Sequence, residues 1–340
     1  MLTAAERGAV AAVLDSGMLE RGARVAAVER WFLEAYGAVD SIATCSGSQA
    51  LLLALRSLGV GSGDEVVMPT YVCPEVLDPI RFLGARPVLV DVADDYLPAP
   101  DAVERACSPR TAAIVFPYLF GIHRSLDDVC ALGIPVIEDC AHFLVPGAHG
   151  FDIVGDLAFF SFKATKLAAA GEGGLVLTRS AQRSAALRDA AASAMTGQVS
   201  GLFAISDLGA ALLLEQLDRL NERLAVRRDV ADRYVVCADE LGQLEVVEAV
   251  RRAPAPFRLP LRLADRGAAE RLMACLAAAG IRARRPVDPL CHHVLGEKGF
   301  ERADALYAVT VSLPLYPALK EDEIATILAA LRRCFQRTES

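Results

Sequence analysis

Between residues 65 and 137 four short runs are apolar but for a leading Glu65 and largely β-branched or leucine-rich: Glu65-Val66-Val67-Met68, Pro87-Val88-Leu89-Val90, Ala112-Ala113-Ile114-Val115-Phe116 and Pro135-Val136-Ile137. None alternates polar with apolar residues, so a strand built from any of them must be covered on both faces. That is the signature of a parallel sheet sandwiched by helices. Helix-like segments separate the runs, such as Leu77 to Leu83 and Asp101 to Cys107. The alternation predicts an α/β domain with a mostly parallel sheet. Residues 4–36 read as two helices split at Gly17 and at Arg21-Gly22, and Gln49 to Leu58 as a short apolar helix.

Past residue 200 the pattern changes. The stretch Leu208 to Leu241 reads as one long connecting helix, since leucines recur without a strict heptad. Pro254-Ala255-Pro256 then breaks the chain, and strand (Phe257 to Leu263), helix (Gly267 to Ala279), strand (Val309 to Leu313) and helix (Glu321 to Leu331) follow. At 340 residues the chain exceeds what one compact core usually carries. A large domain over 1–240 and a small α+β domain over 241–340 are expected.

Composition closes off several classes of function. With 54% hydrophobic and 23% charged residues the chain is globular. Its net charge of −8 disfavours nucleic acid as a partner. No apolar run approaches the ~20 residues of a membrane span. Met1 to Arg7 lacks the apolar core of a signal peptide, so a cytoplasmic location is expected. The nine cysteines include no C-x-x-C pair and read as free thiols in a reducing compartment. His292 and His293 follow Cys291, but no second ligand pair has metal spacing, and no metal site is expected.

Three local signals carry chemistry. In Ile137-Glu138-Asp139-Cys140-Ala141-His142 a buried strand ends in two acids. Ligands of open α/β sheets sit at such strand ends, where Asp139 can hold a protonated ring nitrogen or merely cap the next turn. In Phe159-Phe160-Ser161-Phe162-Lys163-Ala164-Thr165-Lys166, a lysine lies between an aromatic strand and the turn Gly171-Glu172-Gly173-Gly174. Withdrawal from water makes such an amine a better nucleophile toward an aldehyde, whereas a pair of surface lysines is the plainer alternative. In Cys45-Ser46-Gly47-Ser48-Gln49 a small turn opens a helix whose free N–H groups suit a phosphate, although such turns are common. Together the three fit one ligand, pyridoxal 5′-phosphate (PLP).

The order and spacing of these signals resemble the fold-type I PLP enzymes, and specifically the DegT/DnrJ/StrS sugar aminotransferase family. Leu14-Asp15-Ser16-Gly17 through Gly22 and Val25, Asp64 to Pro69, Pro87 to Val92, Tyr118-Leu119-Phe120-Gly121, Asp207 to Ala211 with Gln216-Leu217 and Arg227-Arg228, and Ser312 to Pro317 extend the resemblance over nearly the whole chain. It implies that Lys166, rather than Lys163, carries the cofactor as a Schiff base and shuttles the proton. It implies that Asp139 pairs with the pyridinium nitrogen and that His142 lies by the ring. Gly47, Ser48, Gln49 and Ser161 would bind the phosphate. The activity implied is transfer of an amino group from glutamate or glutamine to a keto sugar or related polyol, by a homodimer with shared active sites. Relatives place an aromatic side chain where this chain has Cys73, so either that stacking is lost or Tyr71 supplies it. Relatives also carry Asn and Arg in a loop reaching the neighbouring subunit, where this chain has Leu202 and Ala204. These departures favour a smaller or free acceptor, such as a keto-inositol, a sugar phosphate or a secondary-metabolite intermediate. Elimination, decarboxylation or cyclisation on the same scaffold, or a catalytically idle PLP-binding protein, are the competing readings. The family's dehydratases carry His at the position of Lys166, and no G-x-G-x-x-G follows a strand.

Overall fold

The computed structural model describes residues 2–146, 152–196 and 204–336. Seven strands form the central sheet: β1 (Asp40–Thr44), β2 (Glu65–Pro69), β3 (Arg86–Val90), β4 (Thr111–Pro117), β5 (Val136–Asp139), β6 (Leu157–Ser161) and β7 (Gly174–Thr178). Their order is β1-β7-β6-β5-β4-β2-β3. β3, β2, β4, β5 and β6 run parallel, while β7 is antiparallel to both β6 and β1. The four apolar runs are β2 to β5, and the mostly parallel α/β sheet expected from them is present. β1 is absent from the reading above because Asp40, Ser41 and Thr44 leave it only a two-residue apolar run. β7, which borders it, completes its pairing.

The uniform apolarity has a direct structural cause. Val66 and Met68 of β2 belong to one hydrophobic cluster and Val67 to another, and Phe159 and Phe160 of β6 divide in the same way. Successive side chains point to opposite faces, and each face has its own core. On one face the helix Gly47–Ser57 contributes Leu51, Leu53 and Leu55; on the other the helix Ala23–Tyr36 contributes Val28 and Phe32. Each such side chain stabilises the fold by roughly 1.5–3 kcal/mol on burial.

Asp207 joins distant segments. Its carboxylate accepts the backbone N–H groups of Gly22 (2.9 Å), Arg24 (3.1 Å) and Val25 (3.0 Å), and so caps the helix Ala23–Tyr36. Gly22, the residue before that helix, supplies no side-chain cap.

Two expectations need correction. The stretch Leu208 to Leu241 is two helices, Asp207–Asp218 and Leu220–Leu241, because the backbone at Arg219 leaves the helical region (φ −107°, ψ 18°). No glycine or proline marks the break, so the leucine pattern runs through it. Cys275 and Cys334, read as free thiols, are joined by a disulfide. The helices Arg266–Ala278 and Glu321–Gln336 pack side by side and bring the two Cα atoms to 6.0 Å. A separation of 59 residues leaves no local trace of this pairing. The other seven cysteines form no disulfide among the described residues.

The antiparallel pair β8 (Pro260–Arg262) and β9 (Thr310–Ser312) lies with these two helices in the last third of the chain. Arg227 ties that region to the rest, donating from Nη1 to the carbonyls of Phe257 (3.0 Å) and Leu315 (2.8 Å). The segment holding Leu202 lies outside the described residues, and Ala204 is exposed.

Candidate active site

A cavity of ≈380 Å³ opens at the C-terminal ends of β4 and β5, where ligands of open α/β sheets bind. Gly47, Ser48, Cys73, Asp139, His142, Ser161 and Lys166 line it, so seven of the eight residues singled out from the sequence meet in one place. Gln49 is not among the lining residues. Its backbone N–H donates to Ser46 Oγ (3.2 Å) as part of the helix cap, and its side-chain oxygen is buried without a partner among the described residues.

At one end of the cavity the helix Gly47–Ser57 begins. The Ser46 hydroxyl uses the third N–H, leaving those of Gly47 and Ser48 without an intrahelical acceptor. The chain is tightly fitted here. A Cβ on Gly174 would come 2.3 Å from the Ser46 carbonyl oxygen, and one on Gly47 would come 2.9 Å from Ser161 Cβ. Glycine at both positions lets β7 and the Ser161 side chain close against the turn.

Strand alternation separates the two acids of β5. Glu138 is fully buried, where its carboxylate accepts from the N–H groups of Val154 (2.7 Å) and Gly155 (2.5 Å) and from the Tyr118 hydroxyl (2.9 Å). Its role is to tie the 153–155 segment to the sheet. Asp139 turns the other way, toward the cavity, and is 5% exposed. One oxygen accepts the Ala141 N–H (2.9 Å), so the capping alternative also describes it. Burial raises its carboxyl from the usual 3.8 to about 6, against smaller opposing effects of the Ala141 N–H and Lys166. Among the described residues no cation forms an ion pair with it.

The two lysines of the loop differ sharply. The Lys163 side chain is 45% exposed and pairs with Glu75 (2.9 Å), which raises its amine. Lys166 is drawn into the cavity wall, its Nζ 5.2 Å from the centre of the Phe257 ring. Burial lowers its amine below the ordinary lysine range, and the neighbouring Asp139 carboxylate opposes this only in part. The site therefore pairs a carboxyl and an amine, each shifted toward neutrality by desolvation.

His142 stacks on Phe257 with ring centres 3.9 Å apart and planes 17° from parallel. Burial holds it well below the usual imidazole range, reinforced by Lys166, Arg258 and Arg227. Its Nδ1 faces the Phe120 N–H at 3.5 Å, and the Phe120 carbonyl in turn accepts the Phe257 N–H (3.0 Å). Phe120 adopts φ 61°, a strained conformation for a non-glycine residue that lets one peptide segment orient both rings.

Tyr71 does not take the place of an aromatic at Cys73. It is fully buried in an aromatic group with Tyr96 and Phe120, away from the cavity. The wall at Cys73 is a thiol, raised by burial. Phe257, Arg258 and Arg284 also line the cavity and were not singled out from the sequence. Phe257 follows Pro254-Ala255-Pro256 and reads locally as the start of a strand, so only the tertiary fold discloses it.

Two comparisons bear on this site. The model of the DegT/DnrJ/EryC1/StrS aminotransferase family matches residues 1–332. The chain belongs to that family. Several solved aminotransferase structures share its fold over nearly the whole chain. The aminotransferase TlmJ from Streptoalloteichus hindustanus is 26% identical with a TM-score of 0.89, the match covering 99% of this chain and 97% of that one. DesI, solved in the presence of its TDP-sugar product, is 27% identical with a TM-score of 0.87, covering 98% and 90%. The PLP form of the putative sugar aminotransferase Spr1654 from Streptococcus pneumoniae is 23% identical with a TM-score of 0.90, covering 100% and 98%. This DegT/DnrJ/EryC1/StrS family member is thus a PLP-dependent aminotransferase of fold type I. Its cavity suits the cofactor: free helix N–H groups at one end, a desolvated carboxyl without a cation partner, and a desolvated amine.

Among the described residues, His292, His293 and Asp304 also cluster, with ligand atoms within 4.8 Å of one another. Asp304 Oδ1 contacts Nε2 of both histidines, at 3.1 and 2.8 Å, and Thr70 Oγ1 lies 2.7 Å from His292 Nδ1. Hydrogen bonding accounts for the arrangement.

Proposed function

We propose that this aminotransferase moves an amino group from glutamate or glutamine to the carbonyl of a keto sugar or related polyol, with Lys166 as the residue that holds the cofactor and moves the proton. The observation that carries this reading is the contrast between the two lysines. Both lysines line the cavity, but Lys166 is desolvated and shifted toward the neutral amine, whereas Lys163 is half-exposed and held charged by Glu75. Only a neutral amine attacks an aldehyde or accepts a proton.

Bound PLP supplies an electron sink, which allows a hydrogen to leave the carbon that bears the amino group. The protein does the rest. The N–H groups of Gly47 and Ser48 and the hydroxyl of Ser161 hold the phosphate at the helix end. Asp139 keeps the ring nitrogen protonated, and that cation offsets the cost of burying the carboxylate. His142, neutral and backed by Phe257, gives the ring a flat partner. Lys166 Nζ takes the proton from the substrate carbon and returns it one position along. Cys73 leaves its part of the cavity wall less bulky than an aromatic would.

The TDP-sugar product of DesI supports a sugar acceptor. A homodimer with shared active sites is part of the same reading. Leu14, Met18 and Leu19, near the end of the first helix, are 56%, 71% and 43% exposed, as an interface would explain. A division near residue 241 into large and small domains is supported by the helix stop at Gly242 and the separate β8–β9 pair.

The test is to add amino donors singly to PLP-loaded protein and follow the cofactor's visible absorption. Glutamate or glutamine should bleach it without an acceptor, and a keto sugar should restore it. A band unmoved by every amino donor would contradict the reading.

A further inference from the structure

The site cavity is one arm of a larger hollow. A second cavity, of ≈990 Å³, shares Thr165, Lys166, Phe257, Arg258 and Arg284 with the first. Lys166 lines both cavities, whereas the Gly47–Ser48 turn lines only the first. Its wall carries Arg223, Arg227, Arg258, Arg282 and Arg284. Among the described residues none of these forms an ion pair with a carboxylate, although neighbouring arginines such as Arg219, Arg228 and Arg262 do. The Nε atoms of Arg223, Arg227 and Arg258 are buried with no hydrogen-bond partner among the described residues. The acids lining the cavity are Glu6, Asp322 and Glu323. Two are engaged in helix caps: Glu6 accepts from the Thr3 N–H (2.5 Å) and Glu323 from the Lys320 N–H (2.8 Å).

Desolvating a guanidinium without a counter-charge is costly, and proteins retain such groups where an anion completes them. Arg227 is accounted for by the carbonyls it binds. Arg258, half-buried with its Nε unpaired among the described residues, is not, and it sits with the exposed Arg284 where the two cavities join. Both hang from Ser312 of β9: Arg258 Nη1 lies 3.4 Å from its hydroxyl, and the Arg284 backbone exchanges hydrogen bonds with the Ser312 backbone at 3.2 and 2.9 Å. The Arg258 guanidinium is also held 5.6 Å from the centre of the Phe257 ring, beside Lys166. Planar forks in this position match the two oxygens of a carboxylate or phosphate.

We propose that Arg258 and Arg284 form an anion seat in the larger cavity, and that the carbonyl substrate is a polyol bearing a carboxylate or phosphate monoester held there while its keto carbon faces Lys166. The inference rests on the aminotransferase reading and narrows its substrate class. The volume agrees, since a cavity of this size accommodates a substituted sugar rather than an amino acid alone. Burial lowers the Arg258 guanidinium below its usual range and Arg284 adds to the effect, a strain that a bound anion relieves.

The experiment compares glucose, glucuronate and glucose 6-phosphate as probes binding to the PLP-loaded protein by calorimetry at low and moderate salt. One charged sugar should bind at least tenfold more tightly than glucose, with the preference weakening as salt rises, and which one wins identifies the anion. In Arg258→Gln and Arg284→Gln, tested separately, that preference should fall to within about threefold of glucose while PLP loading stays at the wild-type level. Equal binding of the three sugars by wild-type protein would overturn the proposal without recourse to any variant. Loss of PLP loading in both variants would also overturn it, assigning the arginines to the cofactor's phosphate. Bleaching of the wild-type cofactor by glutamate is read separately, so failure of the anion seat is distinguishable from failure of the aminotransferase reading.

Discussion

Replacing Asp139 by Asn should stabilise the cofactor-free protein while abolishing its catalysis. In the folded chain burial raises the Asp139 carboxyl from 3.8 to about 6. A carboxyl raised on folding favours the native state fully below its unfolded value, and this contribution is lost as pH rises through the folded value. Above pH ~7 the native apoprotein therefore carries a buried charge at a cost of ~3 kcal/mol, at about 1.4 kcal/mol per pH unit. Asparagine has no charge to bury and keeps an oxygen for the Ala141 N–H. The variant's advantage should be near zero at pH 4 and grow to ~3 kcal/mol by pH 8, a rise of ~4 °C in Tm for a chain of this length. Thermal denaturation of both apoproteins at pH 4, 6 and 8 reads it directly. With PLP bound the order should reverse for activity, because Asn cannot hold the ring nitrogen protonated. A Tm difference that does not vary with pH, or an apo variant less stable than wild type at pH 8, would refute the reasoning about desolvation.

Three further outcomes are expected. Lys166→Ala should lose several orders of magnitude in turnover, since it removes both the nucleophile and the proton carrier, whereas Lys163→Ala should stay within about tenfold; steady-state kinetics with a keto sugar decides between them. Gly174→Ala should drive a methyl into the Ser46 carbonyl, at 2.3 Å, and cost ~1–3 kcal/mol together with a marked loss of PLP affinity, checked by urea denaturation and cofactor titration. Asp207→Ala should orphan three backbone N–H groups at the start of the helix Ala23–Tyr36 and destabilise the protein by ~2–3 kcal/mol in urea denaturation, with little change in kcat for whatever fraction remains folded.

The sheet was legible because its central strands are buried on both faces, and Val66-Val67-Met68 can be nothing but apolar under that condition. β1 was not, because Asp40 and Ser41 are satisfied by partners outside the strand: Ser184 donates to Asp40 (2.8 Å), and the Ser41 hydroxyl donates to the Glu29 carbonyl (2.9 Å). Glu138 and Asp139 were readable as a strand-end pair, and strand alternation assigns them to opposite faces. Lys166 stood out from Lys163 only by its resemblance to a family pattern, since two lysines three residues apart on a loop carry no local sign of burial. Phe257, Arg258 and Arg284 arrive from the last third of the chain, and nothing in their own sequence context points at β5. The disulfide between Cys275 and Cys334 belongs to the same class, a contact made by helix packing across 59 residues.

The central claim is that Lys166 is the amine that holds the cofactor. Borohydride reduction of the PLP-loaded protein followed by peptide mapping tests it most directly. The account predicts a single pyridoxyl label on Lys166. A label on Lys163, or none on any lysine, would contradict it.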